Sequence, residues 1–165
     1  MSVAADHHDF ASQTLTAALN YARCGWPVFP IVEADKKPAT PHGVHDATTD
    51  ASVIQPWFNN GTARNVGIAT GAKSGFFVLD IDPAKGGDDA LDELESQYGT
   101  LPNTVESLTG GGGRHLLFQY PGRKVRNGNN KLGPGIDIRG DGGFIVAPPS
   151  VHESGKRYAW EWSRS

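Results

Sequence analysis

The chain has 165 residues, 38% of them hydrophobic, with four Trp, seven Phe and four Tyr. That is enough for one domain with a real core, and it excludes a disordered chain. A single cysteine, Cys24, excludes an internal disulfide framework and a cysteine-based zinc site, and no apolar run approaches the roughly 18 residues of a membrane span. The net charge of −3 taken alone argues against nucleic acid but hides a segregation. Seven acids stand against one base from Asp80 to Glu95, and six bases against one acid from Arg114 to Arg139.

The acidic, polar start MSVAADHHDF is unlike a signal peptide and points to a cytoplasmic protein. Residues 1–11 predict a loose tail. Leu15, Ala18, Leu19 and Ala22 recur at helical spacing and predict an amphipathic helix from near Ser12, stopped by Gly25, with Cys24 as a small core residue. Trp26–Ile31 predicts a first strand whose two prolines favour an edge. A loop with Lys36, Lys37, Pro38 and His42 follows. A short helix is then expected near Ala51–Asn59, capped by Thr49 or Asp50 and made irregular by Pro56.

NVGIAT and FFVLDID read as two strands joined in hairpin fashion by GAKSG. Asp88 and Asp89 begin a helix whose inner face is Leu91, Leu94 and Tyr98, with Gly99 as its stop. TVESLT, HLLFQY, GIDIRG, GFIVAP and YAWEW complete the strands. This order predicts an α+β fold, helices packed on a mixed or antiparallel sheet.

Asp80 and Asp82 carry the most information. Alternation along a strand puts Phe76, Val78, Asp80 and Asp82 on one face and Phe77, Leu79 and Ile81 on the other, which is the predicted core face. Two acids together at a strand end repel each other, and hard divalent cations such as magnesium take carboxylate oxygens. A solvated strand end turned by Pro83 is the plain alternative.

Two later segments supply partners. Gly110–Gly113, followed by Arg114 and His115, predicts a tight loop whose amides cradle phosphate, or else a glycine-rich turn beside a half-buried histidine. In GIDIRGDGG, Ile136 and Ile138 face one way and Asp137 and Arg139 the other. A third carboxylate, Asp137, converging on Asp80 and Asp82 would complete a two-metal site for activating an oxygen and steadying a leaving pyrophosphate. Asp141 sits in a Gly-Asp-Gly-Gly turn and is explained by turn chemistry.

At this point the chain resembles the N-terminal primase–polymerase domain of plasmid and phage replication proteins, within the archaeo-eukaryotic primase superfamily. The resemblance runs from about Leu15 to Trp162. It rests on KKPAT with HGVHDATTD, NVGIATG before VLDID, TGGGGRHLLF, and GIDIRGDGGFIVAPPS ahead of YAWEW. It implies a small sheet resembling an RNA-recognition motif, joined to a helix-containing N-terminal unit, with the site in the cleft between them. It also implies one catalytic domain over 12–165, excised from a longer protein of a bacterial or archaeal host.

By the same resemblance, Asp80, Asp82 and Asp137 are catalytic ligands of two magnesium or manganese ions, and His115 contacts the phosphates of the incoming nucleotide. Arg114, Arg139 and Lys37 lie near triphosphate or template, with Lys36 able to exchange with Lys37. Ser150 and His152 are expected to line the same cleft, with a plain turn as the alternative. The implied partners are a single-stranded DNA template or primer-template and dNTP or NTP. A helicase region would follow in the full-length protein, and the isolated domain would be monomeric.

Arg123, Lys124, Arg126 and Lys131, in a loose Gly- and Asn-rich loop, are the expected template contacts. Two other functions compete. A DxD glycosyltransferase using a nucleotide-sugar would explain Asp80 and Asp82 but not the other two motifs. A non-catalytic single-strand-binding module would need stacking aromatics, whereas Phe118, Tyr120, Trp160 and Trp162 lie at core-like spacing on strands.

Overall fold

The computed structural model describes residues 3–60 and 62–162, with side chains from residue 9 onward. Helix α1 spans Val3–Arg23 and so begins nine residues before Ser12: the expected tail is helical from Val3, while Met1 and Ser2 lie outside the described residues. Ala18 is fully buried, and Leu15, Leu19 and Ala22 pack around the same core, as the spacing predicts. Gly25 ends the helix at φ +81°, a conformation that suits glycine. Cys24 is exposed rather than part of the core, because it falls in the turn after the last helical residue.

Strand β1 (Val28–Val32) is followed by α2 (Ala51–Phe58), where Asp50, not Thr49, is the N-cap and accepts from Ser52 N–H at 2.9 Å. The helix continues past Pro56, anchored by buried Ile54 and Phe58. Next come β2 (Arg64–Ala69), β3 (Phe76–Ile81) and α3 (Gly87–Tyr98). Strands β4 (Val105–Leu108), β5 (Arg114–Gln119), β6 (Ile136–Arg139), β7 (Phe144–Ala147) and β8 (Ala159–Glu161) complete the chain.

The fold is α+β, and all strand pairing within its sheets is antiparallel. One sheet has the order β1-β2-β7 and the other β6-β3-β5-β4-β8. Pro30 sits on an edge strand, where a missing ladder donor is tolerated. The GAKSG segment is not a hairpin between paired strands. It carries the chain from one sheet to the other, closing on itself through Gly71 N–H to Phe76 O at 2.7 Å.

Strand β3 is buried on both faces, which corrects the single core face expected for it. Phe76 and Val78 pack with α1, α2 and β2, whereas Leu79 and Ile81 pack with Ala90 and Leu91 of α3 and Ile136 of β6. Asp80 therefore stands on a face that is apolar at one end and polar at the other. Tyr98 is 77% exposed, so it leaves the inner face of α3. Leu101 folds back past Gly99, donates its N–H to Glu95 Oε2 at 2.8 Å and takes the apolar position instead.

Candidate active site

The site begins with strand register. Asp137 of β6 lies opposite Asp80 of β3, Asp80 opposite His115 of β5, and His115 opposite Ser107 of β4. Cross-strand partners share a face, so these four side chains form one row across the sheet. His115 and Ser107 are buried at 5% and 0% exposure. His115 Nε2 is 3.6 Å from Asp80 Oδ1, and its Nδ1 is 3.5 Å from Ser107 Oγ. Ser107 was not legible in advance, since TVESLT says nothing of its register partner.

Arg139, two residues after Asp137 and on the same face, places Nη2 3.2 Å from Asp137 Oδ2 and 3.5 Å from Asp80 Oδ2. Burial opposes ionisation of Asp80. The close approach of the His115 ring, with the charges of His115, Arg139 and Lys36, outweighs that and holds the carboxyl below its ordinary value. Asp137 Oδ1 accepts the Asn130 N–H at 3.0 Å. The row opens into a cleft of about 950 Å³ whose far wall includes Phe144, Ile145 and Val146 of β7, so the cleft lies between the two sheets.

Asp82 lines this cleft but stands apart from the Asp80–Asp137 pair. It follows the last residue of β3, caps the turn at Pro83–Lys85 by accepting Ala84 N–H at 3.0 Å, and has Lys85 Nζ at 3.9 Å. Among the described residues, no three His, Cys, Asp or Glu side chains are grouped to hold a metal ion as they stand. The donor chemistry still fits a hard divalent cation. Two carboxylates face each other across adjacent strands with a cation already between them, and a third is on the same rim.

The basic residues divide. Lys36 lines the cleft; Lys37 is exposed outside it. The turn carrying them is pinned by Asp35 Oδ1, which accepts the N–H of Lys36 at 2.6 Å and of Lys37 at 3.3 Å, and the adjacent side chains diverge. Arg114 belongs to the other face of the sheet. It alternates with His115 and pairs with Asp88 at 3.4 Å and Glu106 at 3.6 Å, so it does not join the row.

The glycines of TGGGGRH serve close packing more than an open cradle. A side chain on Gly110 would overlap His152, and one on Gly113 would come within 2.6 Å of Ile81 O. The N–H groups of Gly112 and Gly113 bond to Thr109 O at 3.1 Å and Thr109 Oγ1 at 2.9 Å. His152 lines the cleft, with Nδ1 accepting from Ser154 N–H at 3.0 Å. Ser150 does not. It is fully buried and accepts Val66 N–H at 2.9 Å, a structural role.

Tyr158 is a cleft residue that sequence reading passed over as part of a strand. Its ring stacks on His115 with centroids 6.4 Å apart, and burial, with the nearby charges of Asp80 and Glu153, pushes its phenol up to about 12. Asp141 does more than shape a turn. Its Oδ1 accepts Ala72 N–H at 2.9 Å, and its Oδ2 accepts Val125 N–H and Tyr120 O–H, each at 2.9 Å.

Those bonds also change the picture of the basic loop. Arg123, Lys124, Arg126 and Lys131 are exposed and lie outside the cleft lining. The segment is tied down rather than loose: Asn127 Oδ1 accepts Gly140 N–H at 2.7 Å, and Gly128 pairs with Ile138. Its neutral residues, Asn127 to Asn130, form part of the cleft wall.

No curated protein matches the chain. The family model described as bifunctional DNA primase/polymerase, N-terminal, matches residues 18–164, which include every member of the row and both sheets. The chain belongs to the Prim-Pol family.

Proposed function

We propose that the chain is a template-directed nucleotidyltransferase of plasmid or phage replication. Its family supports DNA primase and polymerase activity in general. The observation that carries the finer reading is the row Asp137–Asp80–His115, two acids and a phosphate-binding group side by side on one wall of a large cleft. In the reaction, a 3′-hydroxyl attacks the α-phosphorus of an incoming nucleotide and pyrophosphate leaves.

Asp80 and Asp137 would hold divalent magnesium or manganese, with Asp82 contributing from the rim. When bound, two such ions lower the pKa of the attacking hydroxyl and neutralise the leaving pyrophosphate. His115 is fixed between Asp80 and Ser107 and supplies positioning to the β- and γ-phosphates, not proton transfer. Lys36, which lines the same cleft, joins it. Arg123, Lys124, Arg126 and Lys131 hold the template backbone outside the cleft, and the Asn127–Asn130 wall separates template from nucleotide. A helicase region in the full-length protein belongs to the same reading. Neither the glycosyltransferase nor the non-catalytic module gives the row a joint purpose.

Incorporation of labelled dNTP with manganese, on primed and unprimed single-stranded templates, tests the reading. Extension of the primed template is the expected result, and product on the unprimed one adds priming. No product on either, from a folded protein that binds DNA, would overturn it.

A further inference from the structure

All four oxygens of the Asp80–Asp137 pair have partners. Asp80 Oδ1 faces His115 Nε2 at 3.6 Å, and Asp137 Oδ1 accepts Asn130 N–H at 3.0 Å. The two Oδ2 atoms converge on a single nitrogen, Arg139 Nη2, at 3.5 and 3.2 Å. One guanidinium nitrogen shared by two carboxylates is a looser seat than a bidentate fork, in which two N–H groups meet two oxygens of one acid. Each carboxylate is about 25% exposed and the arginine about 31%, so the three are neither sealed in nor fully solvated. Two acids directly opposed in such a place need a positive charge.

We propose that Arg139 is a resident counter-cation: it occupies the seat between Asp80 and Asp137 until a divalent cation takes it, and it is then released to bind the polyphosphate of the nucleotide. This rests on the reading that the pair holds a divalent cation. The His115 and Asn130 contacts lie on the other oxygens, so the cation and Arg139 compete for the Oδ2 side. A guanidinium freed into the cleft is suited to phosphate by its planar set of donors. By linkage, nucleotide then strengthens cation binding, because it draws Arg139 away from the acids.

The test is binding of Mn²⁺ alone to the apo chain, followed by electron paramagnetic resonance, for wild type, Arg139→Gln and Arg139→Lys. Arg139→Gln should bind Mn²⁺ about tenfold more tightly than wild type, with Arg139→Lys between them. A non-hydrolysable dNTP analogue, itself an oxygen ligand for Mn²⁺, should tighten binding in both, and by more in wild type than in Arg139→Gln. In EDTA, Arg139→Gln should melt below wild type and recover with Mn²⁺. Should Arg139→Gln fail to fold, Arg139→Lys still decides, by its Mn²⁺ affinity and by how much less than wild type the analogue tightens it. Equal or weaker Mn²⁺ binding by the variants, or the same tightening by the analogue in wild type and in the variants, would overturn the proposal while Asp80→Asn and Asp137→Asn still abolish binding. If those two variants bind Mn²⁺ like wild type, the cation reading itself fails and the proposal with it.

Discussion

Asp80 and Asp137 are direct cross-strand partners on β3 and β6, although 57 positions apart in the chain. Antiparallel pairing puts their side chains on one face, and the order β6-β3-β5 places His115 on the far side of Asp80. The chemistry of the cleft is therefore set by register. A slip of one residue in β6 would turn Asp137 to the α3 side and bring Ile136 or Ile138 into the cleft.

Asp80→Asn and Asp137→Asn should each lower primer extension by about a thousandfold, the several kcal/mol that charge stabilisation supplies to such a transfer. Thermal stability should change by no more than about 1 kcal/mol, because Arg139 keeps one acid partner in either variant. Paired extension assays and melting curves check this. Substantial residual extension in both variants would remove the pair from the reaction.

His115→Gln should weaken nucleotide binding by roughly tenfold or more, as expected for a lost bond to a charged group, and leave single-stranded DNA affinity nearly unchanged. Titrations with a nucleotide analogue and with a labelled oligonucleotide separate the two effects. Equal losses in both, or an unfolded protein, would mean that His115, only 5% exposed, is a packing residue instead.

Asp141 and Asp80 are both held below the ordinary carboxylate range. For Asp141 the N–H groups of Ala72 and Val125 dominate; for Asp80 the close His115 ring and nearby cations prevail over burial. Folded values below the unfolded one mean that this stabilisation is complete above about pH 3.9 and is lost as pH falls through the folded values. Asp141→Asn should lower the melting temperature at neutral pH and flatten the acid limb of the stability curve. Amide exchange should quicken first at Ala72 and Val125, the two N–H groups that the carboxylate holds. Unchanged exchange there would show that the segments around Ala72 and Val125 are held by other contacts.

Replacing Arg123, Lys124, Arg126 and Lys131 by glutamine should weaken single-strand binding and reduce its salt dependence, by up to roughly 0.7 in log–log slope per lost phosphate contact. Nucleotide affinity should hold, since none of the four lines the cleft. Binding measured across a salt series checks both. An unchanged slope would send the template past Lys156 and Arg157 instead.

Much was legible in the chain itself. The helical spacing of Leu15, Ala18, Leu19 and Ala22, the alternation in FFVLDID and GIDIRG, and the stops at Gly25 and Gly99 depend on neighbours within a few positions, where local sterics decide. The motif order also singled out Asp80, Asp137 and His115, which strand register then brings together.

What the chain could not show depends on pairing between distant segments. Ser107 and Tyr158 join the site only because β4 lies beside β5 and the Tyr158 ring stacks on His115. Arg114 leaves it because one step along β5 turns a side chain to the opposite face, where Asp88 and Glu106 neutralise it. Lys36 rather than Lys37 enters because the Asp35 turn fixes which of two adjacent side chains faces the cleft. Local sequence sets which residues a strand can present. Only the folded register, stabilised by two cores on either side of β3, decides which of them meet.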